Sequence, residues 1–284
     1  MLKALKQARA ALALLNPEEI RGRAERPVAV GLVAAGDRGY RELEDFLVPQ
    51  TLPPERREQV LEGVYRADAP SAAPMVDFVL YEPGLACPRE AFPFRRDDPE
   101  ETVAAVLAGH EDFSLALARR FPPFRKTVVH RIVEAVAREN ALFAIASALP
   151  NIVPSFFEMP WTFGEFASDT AFLTVNQVRM AFLIAGASGS EVGFSRQMLE
   201  IGTIVAGAFG WRAIARELAG KIPFGAGLIP KGGIAYAATV VIGKGLERYH
   251  RDAAAYTAME REQLYREAYQ EGTEVARSLA KHAD

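Results

Sequence analysis

The stretch Gly31-Leu-Val-Ala-Ala-Gly36-Asp37-Arg38 sets two glycines five positions apart directly after an apolar run. This is the spacing with which a phosphate-binding loop wraps backbone N–H groups around a di- or triphosphate. The chemistry depends on the pair of residues after the second glycine, where a lysine supplies charge to the β- and γ-phosphates and a serine or threonine holds Mg²⁺. Here Asp37 and Arg38 occupy those positions. An aspartate repels a triphosphate and an arginine cannot ligate the metal, so the loop is read as degenerate and no nucleotide turnover is expected.

A second polar segment, Leu80-Tyr81-Glu82-Pro83-Gly84-Leu85, resembles the D-x-P-G-L metal-sensing loop of GTPases with Tyr81 in place of the aspartate. No N-K-x-D guanine-reading motif comes after it, and Ser147-Ala148-Leu149 ends a helix-periodic run rather than a strand. Two readings stay open. The glycines serve tight turns in a structural α/β layer, or the region is a decayed GTPase core, a pseudo-GTPase.

The other chemically suggestive residues lie in the second half. Asn176, Gln177 and Arg179 interrupt the otherwise apolar Ala171–Ala187, Arg212 and Arg216 lie four apart on one helical face, and Lys231 is expected on a glycine-rich loop. Such groups are costly in a core or bilayer unless paired. They form either a satisfied polar network locking neighbouring helices, with Asp169 or Glu217 as partner, or a small basic pocket for an anionic head group or a partner's carboxylate. Trp161 and Trp211 read as packing or interface residues.

Three ordered motifs contain these residues: Asp169-Thr-Ala-Phe-Leu-Thr-Val-Asn-Gln-Val-Arg-Met180, Gly207-Ala-Phe-Gly-Trp-Arg-Ala-Ile-Ala-Arg-Glu-Leu218 and Gly225-Ala-Gly-Leu-Ile-Pro-Lys-Gly-Gly-Ile-Ala-Tyr-Ala-Ala-Thr239. Over about Phe124 to Tyr249 the chain thereby resembles the uncharacterised bacterial helical domain that commonly follows Era-like GTPase domains. The resemblance implies a helical, frequently membrane-associated domain with no established reaction. It also favours the pseudo-GTPase reading of the first half, although relatives with working GTPase domains keep the phosphate lysine and guanine motif.

The elements that must position these residues can be read from periodicity. Pro27–Ala35 and Met75–Tyr81 are short, apolar and valine-rich, as buried parallel strands are, and Asp37–Leu47 between them is amphipathic up to Pro49. Asn16-Pro17-Glu18-Glu19 and Asp98-Pro99-Glu100-Glu101 each supply an N-cap, a first-turn proline and a capping acid. From Pro99 onward the pattern predicts helices at Pro99–Ala108, Glu111–Arg120, Phe124–Leu149, Asp169–Ser188, Ser195–Ala219, Gly233–Tyr249 and Ala253–Lys281. The last should dock through Tyr256, Met259, Leu264 and Tyr269. The fold class is therefore an α-rich α/β protein, a small parallel-sheet GTPase-like remnant followed by helices. Its expected parts are N-terminal helices at 1–26, the α/β region at 27–98, the helical domain at 99–250 and an amphipathic helix at 251–284.

Composition narrows the function classes. With 33 basic against 36 acidic side chains, no global field is available for a nucleic-acid backbone. One cysteine, Cys87, and four scattered histidines offer no disulfide or metal spacing, which points to a reducing cytoplasmic compartment and to no cofactor. Only 13 charged residues fall in the 96 residues from Pro150 to Gly245, so this middle is either buried or in contact with lipid. Full spanning is disfavoured because Arg179, Arg212, Arg216 and Lys231 break the apolar windows, each at roughly 2.5–3.5 kcal/mol at a helix centre. Phe224, Leu228 and Ile229 beside Lys221 and Lys231 suit a peripheral position at the inner face of an anionic membrane. The expectation is a non-catalytic interaction or membrane-associated scaffold whose partner is an anionic membrane surface or a protein. The alternatives are an enzyme with an unrecognised anion site at Arg212, Arg216, Lys231 and Asp169, or a multi-span membrane protein.

Overall fold

The computed structural model describes residues 12, 15–66, 76–86, 91–147, 169–204 and 228–281. By internal contacts the chain divides into two compact units, one of residues 21–129 with 186–190 and one of residues 1–20, 130–185 and 191–284. The fold is the expected α-rich α/β class with a small parallel sheet. The helices between Pro99 and Val129 group with the sheet.

In the sheet unit, α1 (Pro17–Glu25) leads to β1 (Val30–Val33), α2 (Asp37–Leu47), α3 (Pro54–Leu61), β2 (Val64–Arg66), β3 (Phe78–Tyr81) and β4 (Ala91–Pro93). Then come α4 (Pro99–Gly109), a 3₁₀ turn (Glu111–Phe113) and α5 (Ser114–Arg120). All four strands are parallel in the order β2-β1-β3-β4. The β2 and β4 strands were not anticipated, because three residues are too few to show a period. The β1 and β3 strands are shorter than the apolar runs that announced them, and burial explains why those runs are continuous. Val30, Leu32, Phe78 and Leu80 are covered on both faces, beside Leu43 and Leu47 of α2, Leu107 of α4 and Leu117 of α5 in the unit's core. The helix starts obey the sequence grammar: the Glu19 and Glu101 N–H groups donate to Asn16 Oδ1 at 3.3 Å and Asp98 Oδ1 at 3.1 Å.

The helical unit is built on α6 (Pro122–Ala146) from His130 onward, its residues up to Val129 belonging to the sheet unit, with α7 (Asp169–Ala187), α8 (Leu228–Asp252) and α9 (Ala258–Lys281) and a further helical stretch at 198–204. The expected loop through Lys231 is corrected here, since Lys231, Gly232 and Gly233 belong to the first turns of α8. Pro230 is tolerated there because first-turn N–H groups have no intrahelical partner. Small residues then let helices approach closely. A Cβ at Gly272 of α9 would lie 2.8 Å from the Tyr236 side chain, and one at Gly243 only 2.5 Å from Val133 Cγ2. The docking face of α9 is corrected in part: Tyr269 does lie against Gly233 of α8. The helix buries Ala268, Gly272 and Ala276, spaced by four, while Met259 stays 78% exposed. Close backbone contact favours these small residues over the large apolar ones that a moment-based reading selects. At its start, the Thr257 N–H donates to Glu260 Oε2 at 2.7 Å and the Glu260 N–H to Thr257 Oγ1 at 3.2 Å. The first of these bonds, aided by Arg248, holds the Glu260 carboxyl down at about 2.

Gly243 and Gly245 separate packing from propensity. An added methyl at Gly243 meets the stiff, branched Val133, so Gly243→Ala should lower stability by about 1–3 kcal/mol despite alanine's better helix propensity. Nothing lies within 4 Å of the same atom at Gly245, and Gly245→Ala should raise stability by up to about 1 kcal/mol. Urea unfolding of the two variants checks both signs.

Candidate functional site

The strand order reverses between β1 and β3, since β2 pairs with one side of β1 and β3 with the other. In parallel α/β sheets a ligand crevice opens at such a point, outside the carboxyl ends of the strands. A cavity of about 520 Å³ lies there, bounded by the start of α2, the turn after β3 and the segment from Phe94 to Glu101 after β4.

Gly39, Glu42 and Leu43 of α2 form one wall, and the geometry of the Gly31–Arg38 segment ahead of it differs from the sequence expectation. Gly31 lies inside β1, paired with Tyr65 and Val79. Only Ala34, Ala35 and Gly36 therefore separate the strand from α2. Three residues cannot wrap a phosphate chain. Gly36 caps α2 with an extended backbone and no side-chain bond, and nothing lies near where its Cβ would be. Asp37 and Arg38 face solvent, with side chains 85% and 83% exposed. Arg38 pairs with Glu42 at 3.1 Å and Asp37 lies 3.9 Å from Arg66.

A carboxylate of the protein lies beside this helix start, on the amide that precedes the N-cap Gly36. Glu82 leaves β3 with its N–H donating to Val33 O at 2.9 Å, and its carboxylate Oε2 accepts the Ala35 N–H at 2.9 Å. The first N–H groups of a helix attract negative charge. The glycine that admits the carboxylate is Gly39, where a Cβ would lie 2.5 Å from Glu82 Oε2. Gly39 and Glu82 were both visible in the sequence, but no spacing rule links them. Only the adjacency of β1 and β3 does.

The cleft has the wrong sign for a polyphosphate. Five carboxylates line it, those of Glu42, Glu82, Asp97, Asp98 and Glu101, against Arg95 and Arg96. Both arginines are engaged: Arg96 pairs with Glu42, and Arg95 lies 3.2 Å from Glu101. Tyr81, at the position of the GTPase metal-sensing aspartate, pairs in register with Pro93, and its carbonyl accepts the Phe94 N–H at 2.9 Å. Among the described residues, no group of three or more His, Cys, Asp or Glu side chains is arranged to hold a metal ion.

In the helical unit the sequence candidates separate. Asn176, Gln177 and Arg179 of α7 join Glu139 and Asn140 of α6 and Thr239 of α8 in one network. Asn140 donates to Thr239 Oγ1 at 2.8 Å, Asn176 to Asn140 Oδ1 at 3.0 Å and to Glu139 Oε2 at 2.9 Å, and Gln177 to Thr239 Oγ1 at 3.3 Å. Thr239 in turn donates to Ala235 O at 2.8 Å, and Arg179 bonds Asn176 and pairs with Glu139. The acidic partner expected at Asp169 or Glu217 is thus supplied by Glu139. Lys231 is elsewhere: its ammonium donates to Ser147 Oγ at 2.9 Å, and eight residues of α8 set it about 12 Å along the axis from Thr239. Arg212, Arg216, Glu217, Trp161, Trp211 and the side chain of Asp169 lie outside the described residues, and the proposed basic pocket with them. Among the described residues, no helix is long and apolar enough to cross a membrane.

Comparison of the chain with known protein families, with curated proteins and with solved structures finds no match.

The network makes a testable demand on Thr239, which is fully buried and accepts two amide bonds. Valine keeps the shape and removes the acceptor. Thr239→Val should lower stability by about 1–3 kcal/mol, the usual effect of stranding buried donors. Chemical denaturation measures it, and unchanged stability would show that the network is not a structural tie.

Proposed function

We propose that the chain is a non-catalytic interaction protein with a degenerate GTPase-like α/β unit, a pseudo-GTPase. The observation that carries the reading is the Glu82 carboxylate on the Ala35 N–H, where a phosphate-binding protein would leave its helix start open to the ligand. The three-residue loop, the acidic cleft and the solvent-facing Asp37 and Arg38 all weigh the same way. The β1–β3 edge retains a ligand crevice, but one suited to a basic or neutral group of a partner. Nucleic acid, as a polyanion, is a poor occupant.

The test is titration with fluorescent GTP and ATP analogues. No saturable binding is expected with or without Mg²⁺. Micromolar binding abolished by EDTA would overturn the reading and bring the enzyme hypothesis forward.

A peripheral membrane role is a second part of the proposal, favoured by the exposure of Met198 and Leu199, 67% and 81%, in the helical stretch 198–204. Two large apolar side chains on one exposed turn, succeeded in sequence by the apolar and basic residues from Lys221 to Lys231, fit the interface of an anionic bilayer at the cytoplasmic face. Flotation with anionic vesicles should show binding at low salt that is released at high salt. Absence of binding at low salt removes the membrane component and leaves a protein partner.

A further inference from the structure

Away from the cleft, the sheet unit gathers guanidinium groups, most of them without a carboxylate partner among the described residues. Arg56 of α3 and Arg125 of α6 each donate through Nη2 to the carbonyl of Arg119, both at 3.3 Å. Their Nη2 atoms therefore lie within about 7 Å of each other, inside the roughly 8 Å over which physiological salt screens charge. Arg125 also donates through Nε to Ala118 O at 3.0 Å, and Arg56 through Nη1 to Gln59 Oε1 at 3.4 Å. Arg119 donates to Ser190 O at 2.7 Å and lies 3.3 Å from Glu25. Arg120 completes the group, donating to the Gln59 and Val60 carbonyls at 3.1 Å.

Six other arginines of the unit are paired. Arg26, Arg38, Arg57, Arg66, Arg95 and Arg96 each hold a carboxylate. Among the described residues, Arg56, Arg120 and Arg125 have only neutral acceptors within bonding distance. Burial, then Arg56 and Arg119, pull Arg125 below the ordinary guanidinium range, and burial followed by Arg56, partly offset by Glu62, does the same for Arg120. A guanidinium cannot shed its proton to escape such crowding. The backbone of Gly189 lies against the group. Gly189 has a φ of +84°, and a Cβ there would lie 3.6 Å from Arg56 Nη2 and 3.8 Å from Arg125 Nη2, so the backbone presents only hydrogen to the two forks.

We propose that Arg56 and Arg125, beside Gly189, form a binding site for a tetrahedral oxyanion, a phosphate ion or the phosphoryl group of a small molecule. Planar forks with unspent N–H donors match phosphoryl oxygens in pairs, and a doubly charged anion supplies the missing counter-charge. The site is independent of the cleft and of the pseudo-GTPase reading, since it uses neither the degenerate loop nor a nucleotide base.

The experiment is thermal unfolding and calorimetric titration of the full chain with inorganic phosphate, and separately with a phosphomonoester such as glucose 6-phosphate, against chloride at equal ionic strength. A saturable rise in Tm is expected, with binding at least tenfold weaker in Arg56→Gln, a half-exposed position whose loss the fold should tolerate, and in Arg125→Gln where that variant folds. Equal affinity for both probes identifies the free ion as sufficient, and tighter binding of the ester identifies a larger phosphorylated ligand. No rise beyond that in chloride, or a rise that Arg56→Gln leaves unchanged, overturns the proposal and makes the arginines helix-end caps alone.

Discussion

The Glu82 carboxylate at the head of α2 is the constraint on which the α/β unit turns. The first N–H groups of a helix favour a nearby negative charge, and the Glu82 carboxylate, bonded to the Ala35 N–H just ahead of the N-cap Gly36, supplies one. Placing β3 beside β1 brings Glu82 within reach, and Gly39 removes the one atom that would block it. The consequences are a loop too short to wrap phosphates and a cleft whose surplus charge is negative. The same contact satisfies a backbone donor and sets a carboxylate beside the start of α2.

The helical unit solves a different problem, that of bringing long helices into close contact while polar residues remain inside. Glycines at 233, 243 and 272 let neighbouring helices pack backbone against side chain, and Tyr236, fully buried between them, reaches Glu271 with its hydroxyl at 2.7 Å. Burial, with that bond, pushes the phenol above its ordinary range, so it remains a hydrogen-bond donor at any physiological pH. Asn140, Asn176 and Thr239 tie α6, α7 and α8 in register, because a helix rotated by one residue would strand all three. Of the polar groups that read as an anion pocket in one dimension, Asn176, Gln177 and Arg179 have their partners inside the protein.

How much was legible depended on the range of each interaction. Local grammar read well: Asn16 and Asp98 as caps, Asp37–Leu47 as a helix and the two central strands come from patterns within a few residues. The edge strands β2 and β4 did not, since they exist through pairing with partners distant in sequence. The stripe Ala268, Gly272, Ala276 was missed because hydrophobicity scales reward large side chains, whereas helix contact at short distance rewards small ones. Among candidate site residues, Gly31 and Gly36 matched a spacing, yet the close approach falls at Gly39. The roles of Glu82, and of Arg56 beside Arg125, emerge only once separate elements are brought together.

The central claim is that a protein carboxylate, not a ligand, occupies the helix start after β1. The amide signal of Ala35 in a ¹⁵N–¹H correlation spectrum reports on it directly. The account predicts a downfield proton in the native chain that moves upfield in Glu82→Ala and does not respond to GTP in the native chain. An Ala35 signal indifferent to Glu82→Ala, or one that shifts when GTP and Mg²⁺ are added to the native protein, would contradict it.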